Sequence, residues 1–403
     1  MTTVVIGGGP AGLISAYFRA LRGENVILIE KNEKLGKKLY ITGKGRCNVT
    51  NDCDVDEFLS NVVTNAKFLN GAIRRFPPEK FMEFLSGKIK LKTERGNRVF
   101  PLSDKASDVT KCLQSYAEEV GVDIKLNENV LSVNAENGKI VSVKTDKGFY
   151  PCDNVIICSG GISYPSTGST GDGYAFAKAL GHTIVPPVSA LSGINLKGDF
   201  YKSLQGLSLK NVGVSVYRGG KRLYSDFGEM LFTHFGVSGP TIISASSYIN
   251  RTNLNEIYIS LDLKPALTEQ QLDARILRDF EKYKNKAVKN SLDDLLPKAL
   301  IPVIIKEAGI NGDVKNSEFK SENRKKLVAT IKDMRTYPYS LRDINEAIIT
   351  SGGVSVKEID SKTMESKLVK GLFFAGEVID VDALTGGFNI TIAACTAYSA
   401  GNA

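Results

Sequence analysis

The stretch TTVVIGGGPAGLISAYFRALRGENVILIE, residues 2–30, leaves little freedom in how this chain begins to fold. Thr2 to Ile6 is a short β-branched, apolar run and predicts a buried strand. Gly7, Gly9 and Gly12 follow as G-x-G-x-x-G. The first glycine permits a tight turn, the second lets a pyrophosphate approach the backbone, and the third lets a helix pack closely on the strand. Pro10 and Ala11 fall in the first helical turn, where a missing N–H costs nothing. Leu13, Ile14, Tyr17, Phe18 and Leu21 recur at helical spacing, and Gly23 ends the helix. Asn25–Glu30 is a second strand, closed by Glu30, 18 residues after Gly12. A ribose-binding carboxylate is found about 20 residues on in such units. Strand, glycines, amphipathic helix, strand and acid in this order predict a dinucleotide site. The motif alone does not separate FAD from NAD.

With 403 residues, two or three domains are expected. No run approaches the ~18 apolar residues of a membrane span, and the first strand starts too early for a signal peptide. The six cysteines show no C-x-x-C spacing, and two histidines are few for a metal or haem site. Reduced thiols, a cytoplasmic location and no metal are the expectations. The net charge of +8 is spread along the chain, with local clusters at KNEKLGKK and KIKLKTERGNR. It reads as a solvated face, or as a site for an anionic substrate or nucleotide phosphate. No basic stripe is interleaved with aromatics and tryptophan is absent, so a nucleic-acid partner is not expected.

Three further segments favour a flavin. Residues 130–161 read as an antiparallel meander, starting at Val130 and turning at Asn137-Gly138, that leads into the strand VIICS. That strand ends in Ser159 and the pair Gly160-Gly161, which suits backbone lying against a cofactor. In residues 371–401 a buried strand ends in Gly376-Glu377, and Gly386-Gly387 precede an apolar helix beginning Phe388-Asn389-Ile390. Glu377 would accept hydrogen bonds from ribityl hydroxyls. The helix N-terminus would face the ring edge where charge collects on reduction. The third segment is ITGKGRCNVTN, residues 41–51, too polar for a core strand. Its Gly43, Gly45 and Asn48 could line a planar ring edge that needs donors and acceptors, with Lys44 or Arg46 balancing an anionic reduced flavin.

Together with GGISYPSTGSTGDGYAFAKALGH, LFTHFGVSGP and ITSGGVSVKEID, these segments resemble the BaiN-like family of NAD(P)/FAD-dependent oxidoreductases from end to end. The resemblance implies an α/β fold: a Rossmann-like two-dinucleotide-binding-type FAD domain, an inserted small β-barrel, and an α-helical insertion within the barrel. The expected boundaries are 1–188 with 350–403, 189–265 with 334–349, and 266–333. The resemblance implies FAD contacts at Gly7, Gly9, Gly12, Glu30, Lys38, Gly43, Gly45, Cys47, Asn48, Gly376, Glu377 and Gly387 to Ile390. Pro10, Ala11, Lys31, Thr42, Arg46, Val130, Ser159, Gly160 and Gly161 complete the candidate set.

A flavin carries out hydride transfer itself, so few side chains need to do chemistry. His234 is an acid/base candidate by type, against a role in steadying the barrel. Tyr164 is a candidate proton donor, against simple packing over the flavin. Cys47 lacks a partner thiol and reads as a packing or backbone-contact residue. No second G-x-G-x-x-G is present, so a dedicated nicotinamide domain is not expected and NAD(P)H stays open as electron donor. The leading expectation is a reductase passing hydride from FAD to C=C or C=O of a small organic substrate. The alternative is an oxidase of a small amine or alcohol with oxygen as acceptor, and more distantly an RNA-associated flavoprotein. The oligomeric state is not legible.

Overall fold

A computed structural model describes all 403 residues. The chain divides into two compact units, Met1–Ala190 with Asp343–Ala403, and Leu191–Arg342. The first unit is built on a five-stranded parallel sheet in the order Leu372–Phe374, Asn154–Ile157, Thr2–Ile6, Asn25–Glu30, Asp123–Leu126. Every neighbouring pair is parallel, with Val4 between Ile27 and Val155. Parallel strands must be covered on both faces, which is why they read as continuous apolar runs: Val4, Val5, Leu28, Val155, Ile156 and Ile157 are fully buried. Each such side chain contributes on the order of 1.5–3 kcal/mol by leaving water. The helix Pro10–Leu21 crosses from the first strand to the second, and Phe388–Gly401 packs beside it. The expected meander is present as Val130–Glu136, Lys139–Thr145 and Phe149–Pro151, turning at Asn137 and Gly138, both left-handed. Ile184–Ala190 pairs antiparallel with Ile349–Val354, so the chain leaves and re-enters this unit on adjacent strands.

The second unit carries a seven-stranded sheet whose ladder runs from Met334–Thr336 to Pro338–Leu341, without pairing between those two strands. The helices Glu269–Lys282, Ile301–Glu307 and Ser321–Lys332 share one core with this sheet. Leu272, Ile276, Leu327 and Ile331 lie in it with Val212, Val214 and Ile259. The helical segment is therefore continuous with the sheet's core. The first of these helices opens with the expected capping box. The Gln271 N–H donates to the Thr268 hydroxyl (3.2 Å), and the Thr268 N–H donates to the Gln271 side chain (3.0 Å). No helix is long and apolar enough to cross a membrane.

Candidate cofactor site

The three glycines of the first turn do three different things. Gly7 has φ +106°, and a Cβ there would lie 2.6 Å from the Cys158 carbonyl oxygen, so only glycine lets the neighbouring strand end come this close. A Cβ on Gly12 would lie 1.8 Å from the Gly7 carbonyl oxygen, which fixes how tightly the helix sits on the turn. A Cβ on Gly9 would meet nothing within 4 Å. Gly9 is in ordinary extended backbone and precedes Pro10 at the helix start, with no side-chain cap and no acidic residue in the first turn. The first N–H groups of this helix thus have no side-chain cap, with the positive end of the dipole behind them. Ala11 supports this end from the other side: a Cβ on Gly376 would lie 2.9 Å from its methyl.

Glu30 closes the second strand beside the same turn. One carboxylate oxygen accepts from the Gly8 N–H at 2.7 Å, the other from the Asn32 N–H at 2.8 Å and side-chain amide at 2.6 Å. The Glu128 N–H donates to the Glu30 carbonyl (3.1 Å), which draws the start of the meander and the buried Val130 to this strand end. Lys31 is committed elsewhere, to Asp172 at 2.6 Å and to Thr170.

The stretch 41–51 makes a tight turn with left-handed φ at Gly43, Lys44, Gly45 and Cys47. The Thr42 hydroxyl donates back to the Lys38 carbonyl oxygen (2.9 Å) and stops the preceding short helix. A Cβ on Gly45 would find only the Tyr40 carbonyl oxygen, at 3.7 Å, so there is room beside it. Cys47 is fully buried, and burial pushes its thiol up to about 12. It is a neutral packing group at physiological pH, and a maleimide probe is expected to leave it unlabelled in the folded protein while labelling it in denaturant. Arg46 does not offer a free charge: its guanidinium pairs with Glu94 and with Asp104 (2.7 Å) and lies 4.2 Å over the Phe100 ring. Lys44 is the exposed cation of the segment.

Arg46 holds the Glu94 carboxyl below its usual range, and Lys92 with Arg46 does the same for Asp104. Depressed carboxyl pKa values stabilise the folded turn above the ordinary carboxylate range, and that contribution is lost as pH falls through the lowered values. Any flavin that this turn helps to hold is therefore expected to be retained at neutral pH and released only on acidification through those lowered values. Filtrate absorbance at stepped pH measures this, and in Arg46→Gln the acid step is expected to flatten.

Thr50 and Asn51 finish the stretch by bracing the last helix. The Thr50 and Thr391 hydroxyls are 2.7 Å apart, and the Asn51 amide donates to the Gly386 carbonyl (3.3 Å). Gly387 is left-handed, and a Cβ there would lie 2.4 Å from the Thr50 carbonyl. The helix Phe388–Gly401 starts with no side-chain cap. The Phe388 ring packs edge-on against Phe58, 5.5 Å between centroids. The Asn389 side chain is consumed by the Ala383 N–H (3.0 Å) and carbonyl (2.8 Å). What Phe388, Asn389 and Ile390 present is therefore backbone N–H.

A charged hub links the remaining parts. Lys38 Nζ lies 2.7 Å from Glu377 and donates to the Ser163 hydroxyl at 2.6 Å. The Thr350 N–H donates to Glu377 (2.8 Å), and the Thr350 hydroxyl accepts from the Ile162 and Ser163 N–H groups (2.9 and 3.1 Å). A Cβ on Gly161 would lie 2.4 Å from the Thr350 hydroxyl, and Gly160 is left-handed. Ser163 and Thr350 are absent from the sequence-derived set. Both lie in stretches that carry the family resemblance, but nothing local marks their partners, which are 214 and 27 residues away. Tyr164, half-buried, follows Ser163 in a left-handed turn. His234 belongs to the second unit, exposed on the turn between Lys221–Thr233 and Gly236–Ser238, edge-on to Phe235 at 5.1 Å. His182 is buried, with its ring nitrogens 2.8 Å from the Ser366 hydroxyl and 3.2 Å from the Ala177 carbonyl.

Two buried polar atoms of the candidate set have no hydrogen-bond partner, the Asn48 side-chain carbonyl oxygen and the Ser159 hydroxyl. Buried polar atoms are seldom left so without a ligand or water. With two uncapped helix N-termini and open space at Gly9, the residues present fit a dinucleotide: anion sites for phosphates, Glu30 for a ribose, and an amide acceptor for a ring N–H.

A family model described as HI0933-like protein Rossmann domain matches residues 1–403. The chain is similar to a 3-dehydro-bile acid delta(4,6)-reductase of Clostridium scindens, 29% identical over 99% of this chain and 98% of that protein. It is similar to a ribosomal RNA dihydrouridine synthase of Haemophilus influenzae, 31% identical over 98% of this chain and 96% of that one. Among solved structures, a 3-ketosteroid-delta4-(5alpha)-dehydrogenase of Rhodococcus jostii aligns with TM-score 0.54 at 15% identity, covering 99% of this chain and 95% of its own. That likeness is one of fold.

Proposed function

The chain belongs to the HI0933-like Rossmann domain family, and from that premise we propose that it reduces a C=C conjugated to a carbonyl, using FAD and electrons from NAD(P)H. It is a flavin-dependent oxidoreductase. The names of the two full-length relatives, a delta(4,6)-reductase of a 3-dehydro steroid acid and a dihydrouridine synthase, share one chemical element. In both, the bond to be reduced is a C=C in conjugation with a carbonyl, electron-poor enough to accept hydride. The observation that carries the cofactor reading is the unpartnered Asn48 oxygen in a segment that also buttresses an uncapped helix start. The seven-stranded sheet of the second unit is read as the family's barrel insert.

FAD, when bound, supplies hydride transfer. The chain's own residues bind and orient it. The N–H groups after Gly9 hold pyrophosphate oxygens, and Glu30 accepts from ribose hydroxyls. Glu377, kept in place by Lys38 and the Thr350 N–H, accepts from ribityl hydroxyls. Asn48 accepts from a ring N–H, and the N–H groups of Phe388 to Ile390 hold a ring edge that becomes anionic. Tyr164 is the proposed proton donor to the carbon next to the carbonyl, so that hydride and proton together saturate the bond.

An anaerobic titration of the purified yellow protein with NADPH and then NADH, followed at the flavin band, tests this. One of them is expected to bleach the band, and a conjugated enone is expected to restore it. A band that neither donor bleaches but a small amine or alcohol does would replace the reductase by the oxidase. Protein that takes up no flavin on reconstitution would overturn both.

A further inference from the structure

Ligands of an open parallel sheet lie outside the carboxyl ends of its strands. The strand Asn154–Ile157 lies between Thr2–Ile6 and Leu372–Phe374, and the segment Gly160–Gly171 leaves from its carboxyl end. The segment closes on itself at its neck. A Cβ on Gly160 would lie 3.2 Å from the Ser169 hydroxyl oxygen, and one on Gly171 would lie 2.8 Å from the Ile162 side chain. Both neck glycines are left-handed, at φ +73° and +83°.

Beyond the neck the loop is held at two places. Near its start, Ser163 accepts from Lys38 Nζ (2.6 Å), which in turn pairs with Glu377. Farther on, the Thr167 carbonyl accepts from the Asn32 side chain (3.1 Å), and Asp172 pairs with Lys31 (2.6 Å). The Thr170 hydroxyl, which accepts from Lys31, donates to Asp172 (3.0 Å). Lys31 and Asn32 directly follow Glu30, at the end of a strand on the far side of Thr2–Ile6. Two strand spacings, about 10 Å, separate that strand from the one the loop leaves. The Asn32 side chain is too short to span them, so the loop itself crosses the carboxyl end of Thr2–Ile6, where the glycine turn lies.

The loop therefore runs from the carboxylate assigned to the ribityl chain to the one assigned to the ribose. Asn32 ties it to the second of these: one amide hydrogen goes to Glu30 (2.6 Å) and the other to Thr167. A loop can be packed for its own stability, but this one is fastened at its far end by polar contacts. Lys31 and Asp172 are partly exposed there, and Pro165 and Ser166 on the tip face solvent. Polar fastening between glycine hinges suits a segment that opens. We propose that Gly160–Gly171 is a strap over the dinucleotide, latched by Lys31–Asp172 and Asn32–Thr167, that sets how fast FAD leaves and enters. Lys31 thus acts on the cofactor through the strap and not by touching it. The proposal rests on the FAD reading above.

The test uses FAD-loaded full-length protein mixed with excess apo-glucose oxidase, whose regained activity counts the FAD released. Lys31→Glu sets two carboxylates against each other and is expected to release FAD roughly 10-fold faster than the parent. Asp172→Lys is expected to do the same. The two combined restore an ion pair and are expected to return release to within ~3-fold of the parent. Gly168→Ala reaches the latch without a charge change: its Cβ would lie 2.4 Å from the Asn32 amide nitrogen and push the tip away. It too is expected to release FAD faster, with the flavin absorption band unmoved. Equal release from the parent, both single charge variants and Gly168→Ala overturns the strap and leaves the FAD reading standing. A double variant as leaky as the singles overturns the latch, because a lysine that held the cofactor itself would not be rescued by the swap. Parent protein that takes up no FAD overturns the cofactor reading and the strap with it.

Discussion

Gly9→Val is expected to fold as the parent does and to bind FAD roughly 100-fold more weakly, about 2.7 kcal/mol. The reason is the empty volume at this residue: a Cβ meets nothing within 4 Å, and the backbone is in a conformation any residue adopts. A side chain there costs the apoprotein nothing and occupies the place where a pyrophosphate must reach the helix N-terminus. Gly12→Ala is the contrast. Its Cβ would lie 1.8 Å from the Gly7 carbonyl oxygen, so the helix must lift off the turn. Overpacking of this kind costs about 3 kcal/mol, and the apoprotein's melting temperature is expected to drop along with flavin binding. Thermal melts of the two apoproteins with FAD titrations measure the difference. Gly9→Val that binds FAD like the parent would remove the dinucleotide from this turn.

Gly387→Ala is expected to be the more damaging substitution at the other end of the site. Gly387 is left-handed at φ +97°, where a side chain costs roughly 1–2 kcal/mol by itself. The added methyl would also meet the Thr50 carbonyl at 2.4 Å, so the stretch 41–51 and the last helix must separate. That separation breaks the Thr50–Thr391 contact and the Asn51–Gly386 hydrogen bond. The variant is expected to purify colourless and to melt well below the parent. Thr50→Val, which removes only the hydroxyl contact, is expected to stay yellow and to melt slightly lower. A yellow Gly387→Ala protein with parental stability would show that this junction does not position the cofactor.

The parts of the site that could be read from sequence are those whose chemistry is local. Gly7, Gly9, Gly12 and Glu30 sit within one strand–helix–strand unit, where a turn, a dipole and a strand end come from consecutive residues. The Thr268 capping box and the Asn137-Gly138 turn were legible for the same reason. Glu377 was readable from its strand end, but Lys38 only through a family pattern, because their 2.7 Å pairing closes a gap of 339 residues. Ser163 and Thr350 were not readable, since a serine or threonine becomes specific only when a fold brings it a partner. Arg46 looked like a free cation near the flavin. Its commitment to Glu94 and Asp104 depends on how the strands Leu91–Glu94 and Arg98–Pro101 fold back toward it.

The local order of the chain set the start of a parallel sheet and its glycine turn, through short-range sterics and periodicity. It also determined that ITGKGRCNVTN is no core strand, since its glycines and amides bar it from one. Tertiary structure alone decided what that stretch does, setting its left-handed turn and its Thr50 and Asn51 against the N-terminus of a helix more than 330 residues later. Tertiary structure also decided where the charge is. Scattered along the chain, Arg222, Tyr217, Tyr258 and Arg335 form no stripe. Strand pairing sets Tyr217 between Arg222 and Tyr258, with Arg335 diagonal to Tyr258, because a sheet makes neighbours of residues that the sequence keeps far apart.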